Sequence, residues 1–269
     1  MQLPDVQNLT PEEKIPIEKV GIKNLRYPIK VLDRERGLQA TVGEFNLYVD
    51  LPSHFKGTHM SRFIEVLNEF KEEIHVRNIK EILRKLKKRL NAKSAHLEVY
   101  FPYFIEKKAP VTESHSLMEY QAFMLASLQS RKMDLILGVK VPVMTLCPCS
   151  KIVSKYGAHN QRGIVTIAIR SKGFVWLEEL IEIAESSASS PVYPLLKRPD
   201  EKYVTEKAYE NPKFVEDVVR GVAARLLEKK EIFWFTVEAE NMESIHGHNA
   251  YAYLCYPFKN YSSESSISK

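Results

Sequence analysis

The same order of predicted elements occurs twice along the 269 residues of the chain. Apolar residues alternate in some segments and recur every three or four residues in others, which indicates strands and amphipathic helices respectively. In the first half, two strands, two helices and two strands are predicted at 21–31, 38–49, 62–70, 79–90, 95–104 and 116–128. In the second half, the same succession is predicted at 134–146, 163–170, 175–184, 213–229, 232–239 and 249–257.

This succession predicts an α+β fold in which each half forms an antiparallel four-stranded sheet with two helices on one face. The halves are predicted at 1–131 and 132–260, and the second carries most of the candidate site residues described below. The polar stretch 261–269 is predicted to be a disordered tail. Two such units leave open sheet edges, so we expect the chain to pair with other subunits as an oligomer.

Composition is that of an ordinary globular protein, with 44% hydrophobic and 27% charged residues. No run approaches the roughly 18 apolar residues of a membrane helix, and the first residues carry no secretory pattern, so no membrane partner is expected. Three cysteines are too few for a disulfide scaffold, which makes the reducing cytoplasm the expected location. The net charge of +5 favours anionic partners. The basic run 84–90 is interpreted as a solvated helix face rather than a nucleic-acid site.

The segment between the first two strands of the second half carries the most informative motif. Cys147 and Cys149 are two residues apart, and His159 follows ten residues after the second thiol. Thiolate and imidazole together suit a borderline cation such as zinc or iron, although the spacing is not that of a zinc finger. The alternative is a pair of small buried hydrophobic residues without reactivity.

A second group of ionisable residues lies in a predicted strand–turn–strand segment near the C-terminus. It contains Glu243, His246 and His248, and it follows Glu238 and Glu240, which share one face of the preceding strand. Because histidine titrates near neutral pH, these side chains could supply acids, bases or metal ligands. The alternative is an exposed hairpin turn, in which polar residues are common.

The start of the first predicted helix is a candidate anion site. Thr58 could cap this helix, and the free backbone amides there, together with His59, Ser61 and Arg62, suit a bound anion. A capped helix with a surface arginine explains the same residues without a ligand, and the sequence alone favours that interpretation.

Two further features belong to the second half. Glu216 closely follows two apolar residues of the helix predicted at 213–229, so it lies either near the core boundary or in solvent. A buried glutamate there would require a ligand with a pair of ring N–H groups. The charged stretch 197–202 lacks a helical hydrophobic period and is predicted to be a loop.

Five short motifs make the chain similar to the type IB GTP cyclohydrolases, the prokaryotic enzymes of folate synthesis, over essentially its full length. The motifs are Gly57-Thr-His-Met-Ser-Arg-Phe63, Cys147-Pro-Cys149, Tyr156-Gly-Ala-His159-Asn-Gln-Arg162, Lys197-Arg-Pro-Asp-Glu201 and Glu240 through His248. The resemblance implies a tunnelling fold built from two tandem units of the kind predicted above. It also implies assembly into a homotetramer with active sites between subunits.

The resemblance further implies a role for each candidate residue. One divalent metal per active site, zinc, manganese or iron, would be bound by Cys147, His159 and Glu201. The reacting centre would be formed by the metal ligand Cys147 with Cys149, Glu243, His246 and His248. The edge of the purine would be held by Glu216. The triphosphate would be contacted by His59, Ser61 and Arg62.

The implied reaction converts GTP and water to 7,8-dihydroneopterin triphosphate and formate, the first step of tetrahydrofolate biosynthesis. A metal with three protein ligands leaves a position for water and lowers its pKa towards about 7, and the resulting hydroxide could attack C8 of guanine. His246 and His248 could pass protons during ring opening and formate release.

Three alternatives stay open on the sequence alone. The archaeal cyclohydrolase of the same fold stops at a cyclic phosphate, and the nitrile reductase of queuosine synthesis uses a cysteine nucleophile with NADPH. A non-enzymatic nucleic-acid-binding module would use the basic helix near Arg84 and would show steep salt dependence. The Cys-Pro-Cys motif with His159 and the pair His246 and His248 favour metal-dependent hydrolysis. The expected partner is therefore GTP, and no nucleic acid is expected.

Overall fold

The computed structural model describes residues 7, 9–70, 74 and 78–258. Its strands are β1 Ile17–Asp33, β2 Gly37–Leu51, β3 Ser94–Lys108, β4 His115–Gln129, β5 Lys132–Leu146, β6 Asn160–Ser171, β7 Ser190–Pro191, β8 Ile232–Asn241 and β9 Ala250–Tyr256. Its helices are α1 Ser61–Asn68, α2 Ile79–Arg89, α3 Pro148–Val153, α4 Leu177–Ser187, α5 Arg198–Glu210 and α6 Val215–Leu227. These elements confirm the α+β class, and the predicted tail at 261–269 lies outside the described residues.

The chain forms two compact units, each built from two separate segments. The first unit comprises residues up to 103 together with 121–137, and the second comprises 104–120 together with residues from 138 onward. The strands β3, β4 and β5 each contribute residues to both units. The predicted halves 1–131 and 132–260 describe a repeated order of elements, and this repeat stays a prediction.

In the first unit, β1 and β2 form an antiparallel hairpin, and β2 pairs antiparallel with β3. The hairpin turn is held by Asp33, whose Oδ1 accepts the backbone N–H groups of Glu35 and Arg36 at 2.9 and 2.8 Å. Helices α1 and α2 contact each other through apolar faces that recur at helical spacing. Their completely buried side chains are Phe63, Leu67, Ile79, Ile82, Leu83 and Leu86.

In the second unit, the strands β5, β6, β8 and β9 are hydrogen-bonded neighbours in that order, and β7 pairs with β5. The pairs β6–β8 and β8–β9 are antiparallel. Helix α6 packs on β8, β9 and α4. Along β6 every second side chain is buried, which is the period of a strand with one covered face. The buried residues of this face are Gln161, Gly163, Val165, Ile167 and Ile169.

Residues 198–210 form helix α5, so the prediction of a loop at 197–202 was wrong. The carboxylate of Asp200 accepts the backbone N–H of Lys197 at 2.9 Å, which satisfies a donor that the first turn leaves unpaired. Pro199 is tolerated in that turn because its missing N–H has no helical partner there. The only buried apolar residues of α5 are Val204 and Ala208, and one pair four residues apart is too short to show as a hydrophobic period.

Among the residues that the structure describes, no helix is both long enough and apolar enough to cross a membrane.

Candidate active site

The loop between β5 and β6 holds Cys147 and His159 together through its backbone. The N–H of Cys147 donates to the carbonyl oxygen of His159 at 3.1 Å. The hydroxyl of Ser150 accepts the N–H of His159 and donates to the carbonyl of Cys147, both at 3.2 Å. These three hydrogen bonds close the loop, so the backbone segments that carry the thiol and the imidazole lie next to each other.

Cys147 is also the N-cap of the short helix α3, and its Sγ accepts the backbone N–H of Ser150 at 3.4 Å. Pro148 follows at the first helical position, where proline is favoured. Cys147 is half-buried, whereas Cys149 in the first turn of α3 is exposed. The two thiols of the motif therefore have different environments.

A network through a buried glutamine holds His159. Nδ1 of His159 lies 3.0 Å from Oε1 of Gln161, 3.4 Å from Oγ of Ser244 and 3.9 Å from Oε2 of Glu243. Nε2 of Gln161 donates to Oγ1 of Thr145 at 3.1 Å and to Oε1 of Glu243 at 3.3 Å. The side chains of His159 and Glu243 are 13% and 11% exposed, so water competes little for these bonds.

The pairing of β6 with β8 brings Glu243 to this network, although 82 residues separate it from Gln161. Gly163 lies opposite Asn241 in the register, and a Cβ atom on Gly163 would collide with Oδ1 of Asn241. Glycine therefore lets the buried side chain of Asn241 lie close to β6. One residue further on, the N–H of Met242 donates to the carbonyl of Arg162 at 2.9 Å, which fixes the start of the turn that carries Glu243.

Two more imidazoles lie in the same turn. The ring centroid of His246 is 6.5 Å from that of His159 in an edge-on arrangement and 5.3 Å from that of His248 in a stacked arrangement. Both His246 and His248 are exposed and can reach a bound molecule. The structure thus brings five of the predicted residues into one group, which we call the site cluster: Cys147, His159, Glu243, His246 and His248.

The third predicted metal ligand, Glu201, does not join these side chains in a group that could hold a metal ion, as far as the structure describes the chain. It is exposed in the first turn of α5, which contacts α3 at its other end, where Lys151 donates to the carbonyl of Tyr209. About 12 Å of helix lie between Glu201 and Tyr209. Within the described ranges, no three Cys, His, Asp or Glu side chains are grouped closely enough to hold a metal ion. The thiol of Cys147 and the imidazole of His159 fit a borderline cation by their chemistry, and the three-ligand set stays a prediction.

The candidate anion residues belong to the first unit, whereas the site cluster belongs to the second. Helix α1 begins at Ser61 with Met60 as its N-cap and without a side-chain cap, so Thr58 does not cap it. Arg62 donates to the carbonyl of Arg89 at 3.3 Å, and His59 is half-buried.

Glu216 is exposed in the first turn of α6, beside the buried Val215. In the single chain, this exposed position agrees with the alternative that Glu216 lies in solvent rather than near the core boundary. Its carboxylate is therefore open to a ligand that approaches the start of α6.

Gln161 and Thr145 are functional candidates to which the sequence analysis assigned no role, although Gln161 lies within the motif at 156–162. The sequence pattern of β6 could have indicated Gln161. It is a polar residue at one of the alternating positions that face the core, and the other core-facing positions hold glycine and apolar side chains. Thr145 offered a weaker signal of the same kind, since it is a completely buried polar residue near the end of β5.

Comparison with known families gives one extensive match. The family described as Type I GTP cyclohydrolase folE2 matches residues 3–252. The GTP cyclohydrolase FolE2 of Geotalea uraniireducens is 59% identical over 248 residues, which cover 92% of this chain and 91% of that protein. The GTP cyclohydrolase FolE2 of Thermosipho africanus is 57% identical over 248 residues, covering 92% and 96% respectively.

Similar solved structures come from a different enzyme. The urate oxidase of Bacillus subtilis superposes with a TM-score of 0.51 at 8% identity, covering 88% of this chain and 97% of that chain. The uricase of Arthrobacter globiformis gives a TM-score of 0.50 at 9% identity, covering 92% and 95%. At such low identity the likeness concerns the fold alone, and it agrees with an α+β architecture around an antiparallel sheet.

Proposed function

Because the chain belongs to the FolE2 family of GTP cyclohydrolases, we propose that it converts GTP and water to 7,8-dihydroneopterin triphosphate and formate, the first step of tetrahydrofolate biosynthesis. The observation that carries this proposal is the site cluster. It places a thiol, three imidazoles and a carboxylate in one part of the second unit, at positions that the family motifs single out.

We propose that Cys147, His159 and Glu201 bind one divalent metal, zinc, manganese or iron. When bound, the metal would supply a Lewis acid that lowers the pKa of water towards about 7 and makes a nucleophile available near neutral pH. The thiol and imidazole of the closed β5–β6 loop support this assignment. Glu201 is supported by its motif and by its exposed carboxylate on α5, a helix that contacts α3.

Proton transfer is assigned to the two histidines of the β8–β9 turn. After water adds to C8 of guanine, opening of the imidazole ring requires a proton on the departing nitrogen, and release of formate moves another. Each neutral imidazole has one nitrogen that donates and one that accepts, so the stacked His246 and His248 can perform both tasks. Glu243 would stabilise positive charge that develops on neighbouring imidazoles. Cys149, exposed in the first turn of α3, would line the reacting centre.

Substrate binding is assigned to polar groups at the starts of two helices, α6 and α1. The carboxylate of Glu216 can accept two parallel N–H groups from the edge of guanine. The triphosphate would be bound by His59, Ser61 and Arg62 at the start of α1. The neighbouring helix α2 ends in three basic residues, Lys87, Lys88 and Arg89, which favours an anion in this region.

We further propose that the chain is built from two tandem tunnelling-fold units and forms a homotetramer with active sites between subunits, located in the cytoplasm. The location is proposed because three cysteines are too few for a disulfide scaffold. Light scattering coupled to size-exclusion chromatography should give a mass about four times the 31.1 kDa of the chain. A monomer at micromolar concentration would contradict the assembly.

Replacing the thiol tests the proposed reaction. We expect Cys147→Ala to abolish formate release from GTP and to lower the metal content measured by elemental analysis, while circular dichroism stays unchanged. Cys255→Ala is the matched control, because Cys255 is a free, half-buried cysteine on β9 outside the site cluster. Formate release at the wild-type rate in Cys147→Ala would refute the proposal.

A second experiment identifies the metal and the product. Protein treated with chelator under anaerobic conditions should lose activity and regain it when zinc, manganese or iron is restored. Mass spectrometry of the product should give dihydroneopterin triphosphate. A cyclic phosphate product, or full activity in metal-free protein, would contradict the proposed reaction.

A further inference from the structure

Gln161 is a buried side chain whose polar atoms all have partners. It is 7% exposed and lies on the inward face of β6, among glycine and apolar residues. A buried amide lowers stability unless it is hydrogen-bonded. Here the two amide hydrogens have acceptors on Thr145 and Glu243, and the amide oxygen faces Nδ1 of His159. The glutamine therefore connects three side chains rather than simply filling space.

The orientation of this amide follows from the chemistry of its neighbours. An ionised carboxylate can only accept hydrogen bonds, so the amide group that faces Oε1 of Glu243 at 3.3 Å must be the NH2 group. The carbonyl oxygen then faces Nδ1 of His159 at 3.0 Å. Since a carbonyl oxygen only accepts, Nδ1 must carry the hydrogen. In the neutral imidazole, Nε2 is left with a lone pair.

We infer that Gln161 is a positioning residue, which holds His159 in the tautomer protonated on Nδ1 and keeps the carboxylate of Glu243 facing the same imidazole. Thr145 supports this role, because its completely buried Oγ1 accepts the other amide hydrogen at 3.1 Å and so helps to hold the amide in place.

The consequence for catalysis rests on the proposed function. A histidine that binds a metal must present an unprotonated nitrogen, and a hydrogen bond at its other nitrogen fixes both the tautomer and the ring orientation. Gln161 supplies that bond to His159. The link to Glu243 means that the loop after β5 and the turn after β8 are held by one side chain.

The tautomer can be measured directly in metal-free, full-length protein labelled with ¹⁵N-histidine. Long-range ¹H–¹⁵N spectra at about pH 8.5, above the ordinary histidine pKa of about 6.5, report which ring nitrogen carries hydrogen. The signals of His159 are those that disappear in His159→Gln. We expect the Nδ1–H form in the wild type and a mixture of both tautomers in Gln161→Leu. An unchanged tautomer in Gln161→Leu would overturn the inference.

Three further variants, at Gln161 and Thr145, separate positioning from a merely structural role. Gln161→Glu retains an acceptor for Nδ1–H, so it should keep the Nδ1–H tautomer, while its charge beside Glu243 should lower kcat. Thr145→Val removes one of the two acceptors of the amide hydrogens, so it should shift the tautomer in the same direction as Gln161→Leu but less, whereas Thr145→Ser should keep the wild-type tautomer. If Gln161→Leu does not fold, these variants decide the question. Loss of the Nδ1–H tautomer of His159 in Gln161→Glu would refute the proposal that a side-chain oxygen at position 161 fixes this tautomer.

Metal affinity provides a readout that is independent of turnover. Competition with a chromophoric chelator, with zinc as the probe, should show binding weaker by about 10- to 100-fold in Gln161→Leu. Gln129→Leu, which changes an exposed glutamine at the end of β4, is the matched control and should bind zinc as the wild type does. Wild-type affinity in Gln161→Leu would contradict the inference.

The outcomes for Gln161 and for the proposed function are distinguishable. A wild type that releases formate, together with a Gln161→Leu variant of unchanged tautomer, would overturn the positioning role alone. A protein that shows the tautomer shift but releases no formate would overturn the proposed function and leave the hydrogen-bonding role of Gln161 in place.

Discussion

Glu185 is the centre of a buried network of ionisable side chains in the second unit. Its Oε1 accepts the hydroxyl of Tyr120 at 2.8 Å and Nζ of Lys107 at 2.7 Å, and Lys107 also donates to the carbonyl of Val192 at 2.6 Å. Burial raises the pKa of Tyr120 far above its ordinary value, and the charge of Glu185 adds to the rise. Burial lowers the pKa of Lys107, an effect that Glu185 partly offsets. Each of these residues depends on the others to remain buried.

Tyr120→Phe should lower the free energy of unfolding by about 1.5 to 3 kcal/mol near pH 8, the usual range for a hydrogen bond to a charged group. The difference from wild type should narrow above pH 10. Above pH 10, Tyr120 ionises in the unfolded chain, whereas its raised pKa keeps it protonated in the folded protein. The free energy of unfolding of the wild type therefore falls as the pH rises, and Tyr120→Phe lacks this loss because it has no phenol to ionise. Urea unfolding of both proteins between pH 8 and pH 11 measures this difference in the free energy of unfolding. A difference that stays constant or widens above pH 10 would contradict the assignment.

At the level of elements, Asp200 connects the start of α5 to the turn between β3 and β4. Its side chain is completely buried and accepts the backbone N–H groups of Val111 and Thr112, both at 2.8 Å. It also accepts the hydroxyl of Thr112 at 2.6 Å and the N–H of Lys197 at 2.9 Å. Four donors around one carboxylate explain why α5 begins where it does, one residue before the proposed ligand Glu201.

Asp200→Asn should destabilise this junction, because in either orientation its NH2 group would face at least one backbone N–H, which cannot accept a hydrogen bond. We expect a melting temperature lower by several degrees and faster hydrogen exchange in the first turn of α5. Glu206→Gln is the control, since Glu206 forms only an exposed ion pair with Lys202 on the same helix and should leave both measurements almost unchanged. Equal melting temperatures for the two variants would show that the junction does not depend on the carboxylate.

The elements differ in how far the sequence could predict them. Helix α2 was predictable because its buried residues recur at helical spacing. Helix α5 was not, because its N-terminus is fixed by hydrogen bonds from residues about 90 positions earlier rather than by a local apolar pattern. The short α3 was predicted as part of a loop, since six residues provide no period and its start depends on the cap by Cys147.

At the scale of the whole molecule, the sequence carries a net charge of +5 and a pI of about 8.9. The proposed substrate is a polyanion, so long-range attraction should speed its association. Such attraction acts over the Debye length, which shrinks from about 20 Å at 20 mM salt to about 6 Å at 300 mM.

We therefore expect kcat/KM for GTP to fall as sodium chloride is raised over that range, with kcat changing less than KM. Sucrose of matched osmolality is the control and should have little effect. Steady-state measurements of formate release give both constants. If kcat/KM is independent of salt, the surface charge plays no part in capturing the substrate.

The sequence by itself determined the α+β class, the positions of the long strands and amphipathic helices, and the motifs that mark Cys147, His159, Glu243, His246 and His248. These follow from local periodicity and short-range spacing, which a linear chain displays directly. Only the tertiary structure decided that Gln161 connects His159 to Glu243. That contact depends on the register of β6 against β8, with Gly163 opposite Asn241, and pairing between segments about 80 residues apart leaves no periodic trace in the chain.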